Sequence, residues 1–349
     1  MPSPLAVTYN LDIRPTPPWS EVSGTVTPSA PTSITVPSTG GKDYPGFGDL
    51  AIDTAGVLHL VYRWGSDHNS TNDGDIAYRT SSDGGATWSS QTVIHAHGGE
   101  SLTDPCICVT ATGRLIVQWV KSEAAAVRTM WQTVSDDDGA SWSSAALMTN
   151  LYPDPGQITG PGAPIQTSYG LVKAVYARGG SSGRRRPFSL LSTDDGDSWS
   201  SLGTIHNDIN PDYEEPCIVE RPDGLLIALL RSDPLTRVDV TWSPDGGVRW
   251  ALPRYVLDAK GKPAVACSSA GLLVAITRKN SDGGRTVYCV SNDGGYTWSM
   301  TSIDTETGLY VYGGIVWDHV RSRFCAVYAT EVGTPYTATI MQSVTLAVT

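Results

Sequence analysis

One eight-residue phrase, Ser-x-Asp-x-Gly-x-x-Trp, recurs five times along the chain: at 81–88, 135–142, 192–199, 243–250 and 291–298. Its aspartates stand at 83, 137, 194, 245 and 293, so successive copies are 48 to 57 residues apart. Five full matches at near-constant spacing mark an internal repeat, which constrains the fold to a set of similar modules. In each copy the glycine (Gly85, Gly139, Gly196, Gly247, Gly295) suits a turn that needs positive φ, and the aspartate can accept backbone N–H groups across it. The tryptophan supplies an apolar plug expected to fold back onto its own module. On this reading the repeated aspartates form turns and are not five catalytic acids.

A second phrase precedes most copies: an apolar strand, a glycine turn and another apolar strand. Examples run from Asp49 through Gly56 to Arg63, and from Pro216 through Gly224 to Arg231. Short strands at about ten-residue intervals with almost no helix-period text predict an all-β chain. One four-stranded sheet per ~50 residues is the signature of a propeller blade. Five boxes predict five blades. After Trp298, the stretches from Gly313, Phe324 and Tyr336 read as a sixth blade without a box. The expected fold is therefore one six-bladed β-propeller over residues 1–349, closed by N- and C-terminal strands, with helix content under about a tenth. The N-terminal run Leu5 to Leu11 is expected to add the outer strand of blade six. Residues 14–41, rich in Pro, Ser and Thr, are expected to cross to blade one as a strap or linker.

Composition narrows the function classes. Lys plus Arg number 24 against 35 Asp plus Glu, a formal net charge of −11, and such a surface repels phosphate backbones, which argues against nucleic-acid binding. No apolar run approaches the ~18 residues of a membrane helix, so membrane insertion is not expected. The first residues lack a basic n-region and a long apolar h-region, so no signal peptide is expected; an extracellular or virion setting stays open. Six cysteines (Cys106, Cys108, Cys217, Cys267, Cys289, Cys325) lie in strand-like text without zinc-ligand spacing and read as buried free thiols. No metal or organic cofactor is expected.

The boxes, the blade length and the six-fold count resemble the sialidase (neuraminidase) superfamily, over roughly residues 43–330. The stretch from Tyr213-Glu214-Glu215-Pro216 to Arg231 carries the resemblance best. In that family a Glu opens the inner strand of the fourth blade and an Arg ends the adjacent strand sixteen residues later. The resemblance implies that Glu215 is the general base beside the nucleophile and that Arg231 binds a substrate carboxylate. Arg63-Trp-Gly-Ser-Asp67-His68 is similar to a family segment in which the Asp is the general acid/base, which implies that Asp67 protonates the leaving oxygen and Arg63 contacts the sugar. Asp73 and Asp75 are rivals in the same loop. Tyr312, with Tyr310 as alternate, matches the nucleophile that opens the sixth blade. A neutral phenol suits a 2-keto acid sugar, whose own carboxylate repels an attacking carboxylate.

The arginines add evidence of their own. Arg63, Arg231 and Arg278 each fall seven residues after a turn glycine (Gly56, Gly224, Gly271), so they are expected at one end of the propeller. The family motif favours Arg285 as the third carboxylate-binding arginine, with Arg278 as alternate. The family's opening Tyr-Arg-Ile-Pro is replaced by Tyr44-Pro45-Gly46-Phe47, which has no arginine. Either Arg63 takes that role, or the carboxylate grip is weaker, or the substrate differs. Arg184-Arg185-Arg186 reads as a solvated loop, with an accessory anionic-glycan subsite as the alternative. The resemblance thus implies a retaining exo-sialidase-like glycoside hydrolase whose partner is a glycan with an acidic terminal sugar. The alternatives are a non-catalytic glycan-binding propeller, such as a surface or virion adhesin, and a neutral-sugar glycosidase using Asp67 with Glu215. The oligomeric state is left between a monomer and an oligomer of undetermined size.

Overall fold

The strand text is apolar on both faces. Leu58–Gly65 and Glu214–Glu220 are buried along almost their whole length, as expected of sheets covered on both sides. The computed structural model describes residues 22–68, 72–122, 128–149, 151, 157–179, 184–206, 211–232, 234–281, 284–303, 312–332 and 338–349. Among these every regular element is a β-strand.

The strands form six sheets. Their inner strands are Tyr44–Ile52, Ser101–Val109, the split pair Gln157–Thr159 and Ile165–Thr167, Glu214–Glu220, Ala264–Cys267 and Gly313–Asp318. In the first five sheets the following strands pair antiparallel in chain order toward the outside. Inner strands of neighbouring sheets touch around a central axis, and Gly313–Asp318 meets Tyr44–Ile52 to close the ring. This is a six-bladed propeller. An axial cavity of about 210 Å³ is lined by all six inner strands, through Asp49, Ile107, Ile165, Cys217, Ala264 and Ile315 among others.

Closure of blade six differs from the expectation in one respect. Its outer edge, Ala338–Val348, is covered by Val26–Pro28 and Thr32–Ile34, with Val26 opposite Val348 and Thr32 opposite Ser343. These residues belong to the stretch read as a strap. Leu5 to Leu11 lies outside the described residues. Val and Thr in a strand that ends on Pro28, with Thr and Ile in the next, suit a sheet edge, because a proline's missing N–H costs nothing on the unpaired side.

The core is divided among the six seams between neighbouring blades, each filled by its own apolar cluster. The box turns seal these seams. All five share one hydrogen-bond pattern, in which the serine Oγ donates to the aspartate and accepts the glycine N–H. The same aspartate accepts the N–H four residues on. The tryptophans divide: Trp250 and Trp298 fold back as expected, each donating to the glycine carbonyl of its own box (Gly247, Gly295) at 3.0 Å, while two others reach across the seam. Trp142 packs edge-on against Tyr78 of the preceding blade, and Trp199 donates to Gln132 of the preceding blade. The seam is the larger apolar recess, so these two indoles go there.

Box turns lie at the opposite end of the blade from the second-strand arginines, since Ser243 pairs with Leu226 while Arg231 pairs with Glu214. One face therefore carries the boxes and the other is free for chemistry. Gly139 and Gly224 both have positive φ, but only at Gly139 does an added Cβ overlap a neighbour, the Tyr78 hydroxyl across the seam. Gly224→Ala should cost about 1 kcal/mol from backbone conformation alone. Gly139→Ala should cost about 2–3 kcal/mol, because overlap adds to strain. Urea unfolding of the two variants checks this; equal losses would mean that the box turns do not seal the seams.

Candidate active site

Three inner strands carry a bulge at their entry, and in each the bulge holds one non-glycine residue at positive φ: Phe47 (56°), Asp104 (52°) and Glu215 (48°). A bulge re-aims a side chain, and left-handed backbone at a non-glycine residue costs about 1 kcal/mol or more. Proline follows Asp104 and Glu215, which disfavours ordinary α geometry for both. The three residues belong to blades one, two and four, all at the end away from the boxes.

Glu215 is the hub. Tyr312 donates its hydroxyl to Glu215 Oε1 at 2.8 Å, and Arg231 Nη1 donates to Glu215 Oε2. Arg231 Nη1 also lies 3.5 Å from the Tyr312 oxygen. Arg231 Nε stands 3.6 Å from Glu214, which is braced in turn by Arg185 at 2.7 Å. The arginine run read as a loop is thus the start of the strand Arg184–Ser192, and Arg185 belongs to the charge network behind the site. Burial alone lowers the Arg231 pKa, but the charges of Glu215, Tyr312 and Glu214 raise it overall. Burial, then the Glu215 charge, push the Tyr312 phenol well above its ordinary value. Tyr312 is therefore a neutral phenol that offers its proton to a carboxylate.

An aromatic layer covers the phenol. Phe47 lies 4.8 Å and His68 5.5 Å from the Tyr312 ring, and Phe47 stacks on His68 at 4.7 Å. Tyr44 Oη holds His68 Nδ1 at 2.9 Å. The segment in which the family resemblance expects an arginine, Tyr44-Pro45-Gly46-Phe47, thus has none and presents the Phe47 ring to the nucleophile candidate. Burial, followed by the Arg63 charge, lowers the His68 pKa to about 4, with Asp67 opposing and Arg278 adding to the shift.

Asp67 is exposed at the rim. Its rivals are occupied: Asp73 accepts from the backbone and hydroxyl of Ser66, and Asp75 is paired with Lys42 at 2.6 Å. Arg63, read from the sequence as a sugar contact, is 1% exposed. Its guanidinium donates to the carbonyls of Leu102 and Asp67 and lies 4.0 Å from Asp73. Its geometry is that of a residue holding the Asp67 loop. Arg278 donates to the Lys260 carbonyl, and its charge reaches His68 as the least of the influences on that ring. Arg285 makes no described contact with the cluster, and its Nε is buried without a hydrogen-bond partner. Tyr310 lies outside the described residues.

The sequence reading missed Asp104. Burial and then the Glu215 charge raise its pKa to about 6, against the opposing charges of Lys262, Arg128 and Arg63. A signal was present: Phe47, Asp104, Glu215 and Lys262 each stand nine residues before a turn glycine (Gly56, Gly113, Gly224, Gly271). Among the described residues no group of three or more His, Cys, Asp or Glu side chains is arranged to hold a metal ion. No helix of the structure is long and apolar enough to cross a membrane.

Residues 59–258 match the family model described as a BNR repeat-like domain. The chain is 31% identical to the anhydrosialidase of Macrobdella decora over a match covering 39% of this chain and 20% of that protein. It is 27% identical to the sialidase of Bacteroides fragilis (strain YCH46) over 72% of this chain and 53% of that protein. It therefore spans about a fifth and about half of these two relatives. Among solved structures, a protein of unknown function from Dyadobacter fermentans DSM 18053 superposes with a TM-score of 0.82 at 17% identity, covering 93% of this chain and 99% of that one. That likeness concerns the fold.

His68 and Asp104 give the site a characteristic pH response. The folded His68 pKa lies below its ordinary value of 6.5, so its contribution to stability is present above pH 6.5 and is lost as pH falls toward about 4. Asp104 works in the opposite sense: its raised pKa favours the fold at low pH, a contribution lost as pH rises from 3.8 through about 6. His68→Phe keeps a ring in the aromatic layer and removes the titration. Its melting temperature should fall less than that of the wild type between pH 7 and pH 5, measured by calorimetry at matched ionic strength. An unchanged slope would mean that His68 is freely solvated.

Proposed function

The chain belongs to the family of BNR repeat-like domains, six-bladed propellers resembling the sialidase superfamily, and on that premise we propose that it is a retaining glycoside hydrolase acting on sialic-acid-bearing glycans. The observation that carries the reading is the hydrogen bond from Tyr312 to Glu215 with Arg231 against both. The names of the two relatives, a sialidase and an anhydrosialidase, point to the same sugar class.

In this mechanism the Tyr312 oxygen attacks the anomeric carbon while its proton passes to Glu215 Oε1. The high phenol pKa makes that transfer necessary, since a free phenolate is not formed ahead of attack. Asp67, at the rim, gives a proton to the departing glycosidic oxygen and later takes one from the water that releases the sugar. Arg231 holds the base and nucleophile together and faces the sugar carboxylate with its remaining N–H donors. Arg278 is the better placed of the two candidates for a second cation, because its charge acts on the aromatic layer beside Tyr312. Asp104 faces the same space and serves the sugar as a hydrogen-bonding partner. With no arginine in Tyr44-Pro45-Gly46-Phe47 and the Phe47 ring against Tyr312, the carboxylate meets fewer cations and an apolar wall, which favours a related nonulosonic acid as readily as the common one.

Three variants test the reading against a non-catalytic glycan-binding propeller. Tyr312→Phe and Asp67→Ala should each lower release of sugar from a natural glycoside by ~10²–10⁴-fold while leaving glycan affinity within about a factor of three. Arg231→Ala should weaken both. Sugar release from mixed sialylated glycoconjugates across pH 4–8, with glycan binding measured in parallel, checks all three. Binding without release by the wild type would establish the adhesin. Full activity in Asp67→Ala would move the acid to another residue.

A further inference from the structure

Cys106 and Lys173 form a pair for which the chemistry above has no use. Cys106 sits on the inner strand of blade two, separated from Asp104 only by Pro105, and Lys173 lies on the second strand of blade three, Gly170–Gly179. Both side chains are 0% exposed. Lys173 Nζ stands 3.0 Å from Cys106 Sγ, and among the described residues that sulfur is its one hydrogen-bond partner. Space for the lysine stem is provided by Gly160, where a Cβ would press on Lys173 Cε and on Val175.

This is a poor way to bury a cation. A thiol is a weak acceptor, and a charge taken out of water needs a counter-ion or several good hydrogen bonds. Burial raises the Cys106 pKa, with Lys173 opposing, so the sulfur stays a neutral thiol. Among the described residues the nearest acid in play is Asp49, whose pKa burial raises, and Lys173 is the last of the influences that oppose that rise, so the pair has no close counter-ion bond. A close, dry, enforced contact between an amine and a thiol is the arrangement in which oxidation can join the two.

We propose that Lys173 and Cys106 are a redox-controlled cross-link site, joined under oxidising conditions by a covalent N–O–S bridge made with dioxygen. Lys173 reacts as the neutral amine, its ammonium proton passing to bulk water. The S–H bond of Cys106 and one N–H bond of Lys173 then break, and S–O and O–N bonds form. One oxygen atom of dioxygen stays in the bridge and the other leaves as water. Sulfur and nitrogen together supply the four electrons that dioxygen takes up. The product is neutral, which removes the buried charge, and a single oxygen atom fits between nitrogen and sulfur without a backbone shift. The bridge fastens the inner strand of blade two to blade three directly beneath Asp104. This inference does not depend on the proposed reaction.

The experiment compares the full chain kept anaerobic with a thiol reductant against the same preparation held in air-saturated buffer. Intact-mass and peptide analysis of the wild type should show a gain of about 14 Da, one oxygen gained and two hydrogens lost. The gain should map to a linked pair of peptides containing Cys106 and Lys173 and should reverse with reductant. Lys173→Met preserves volume and removes the buried charge, so it should fold and show no gain; Cys106→Ser should show none either. The oxidised wild type should melt at a higher temperature than the reduced form, with no such difference in Lys173→Met. An unchanged wild-type mass, a gain that persists in Lys173→Met, or oxidation confined to cysteine as sulfenic or sulfinic acid would overturn the proposal.

Discussion

The structure depends on seam packing between neighbouring blades. A four-stranded sheet with two apolar faces cannot stand alone in water, and here each face is covered only by the next sheet. The requirement runs around the ring, so the last seam, between blades six and one, has to be built from the two ends of the described chain. It is built by Ile34 with Met341 and Val327 against Leu50 and Leu60. The box turns serve the same end: their tryptophans enter the seams, and their Ser and Asp side chains satisfy turn N–H groups that would otherwise lack partners.

Ring closure also makes the candidate site possible. Phe47, Asp104, Glu215 and Tyr312 come from blades one, two, four and six, and they share one mouth because every inner strand enters the axis from the same side. The bulges refine this placement. Residues at positive φ are tolerated where surrounding hydrogen bonds and packing outweigh the strain, and here the strain directs side chains at Tyr312 and at one another. Rigid sheets on both sides of each bulge hold that geometry without help from long loops.

Charge in the mouth is arranged in layers. Arg185 braces Glu214, Glu214 and Glu215 share Arg231, and Glu215 takes the Tyr312 proton donor. A protein of formal net charge −11 thus presents a local cluster in which cations and acids alternate. Burial first, and then the Glu215 charge, raise the Asp104 pKa to about 6, so this acid in a dry site holds its proton far above the ordinary carboxylate range. The aromatic layer of Phe47 and His68 lowers the local polarity further and keeps the phenol neutral.

Much of this was legible in the amino-acid sequence. The repeat of the Ser-Asp-Gly-Trp phrase determined five of the six modules, because a turn chemistry repeated at fixed spacing means repeated hairpins, and the strand text after Trp298 supplied the sixth. The sixteen-residue interval between Glu215 and Arg231 placed both at one strand end, since it is the length of a hairpin with its turn at Gly224. The same arithmetic would have found Asp104, nine residues before Gly113. Other features were decided only by the tertiary structure. Arg63 sits at the same hairpin position as Arg231, yet its guanidinium is buried against the Leu102 and Asp67 carbonyls, because a neighbouring blade and loop reach it first. Residues 26–34 look like linker text and became the closing edge strand because blade six offered them an unpaired edge. Periodicity and spacing determine which strand a residue joins and at which end; what its side chain meets there depends on blades hundreds of residues away, and that is set only when the ring closes.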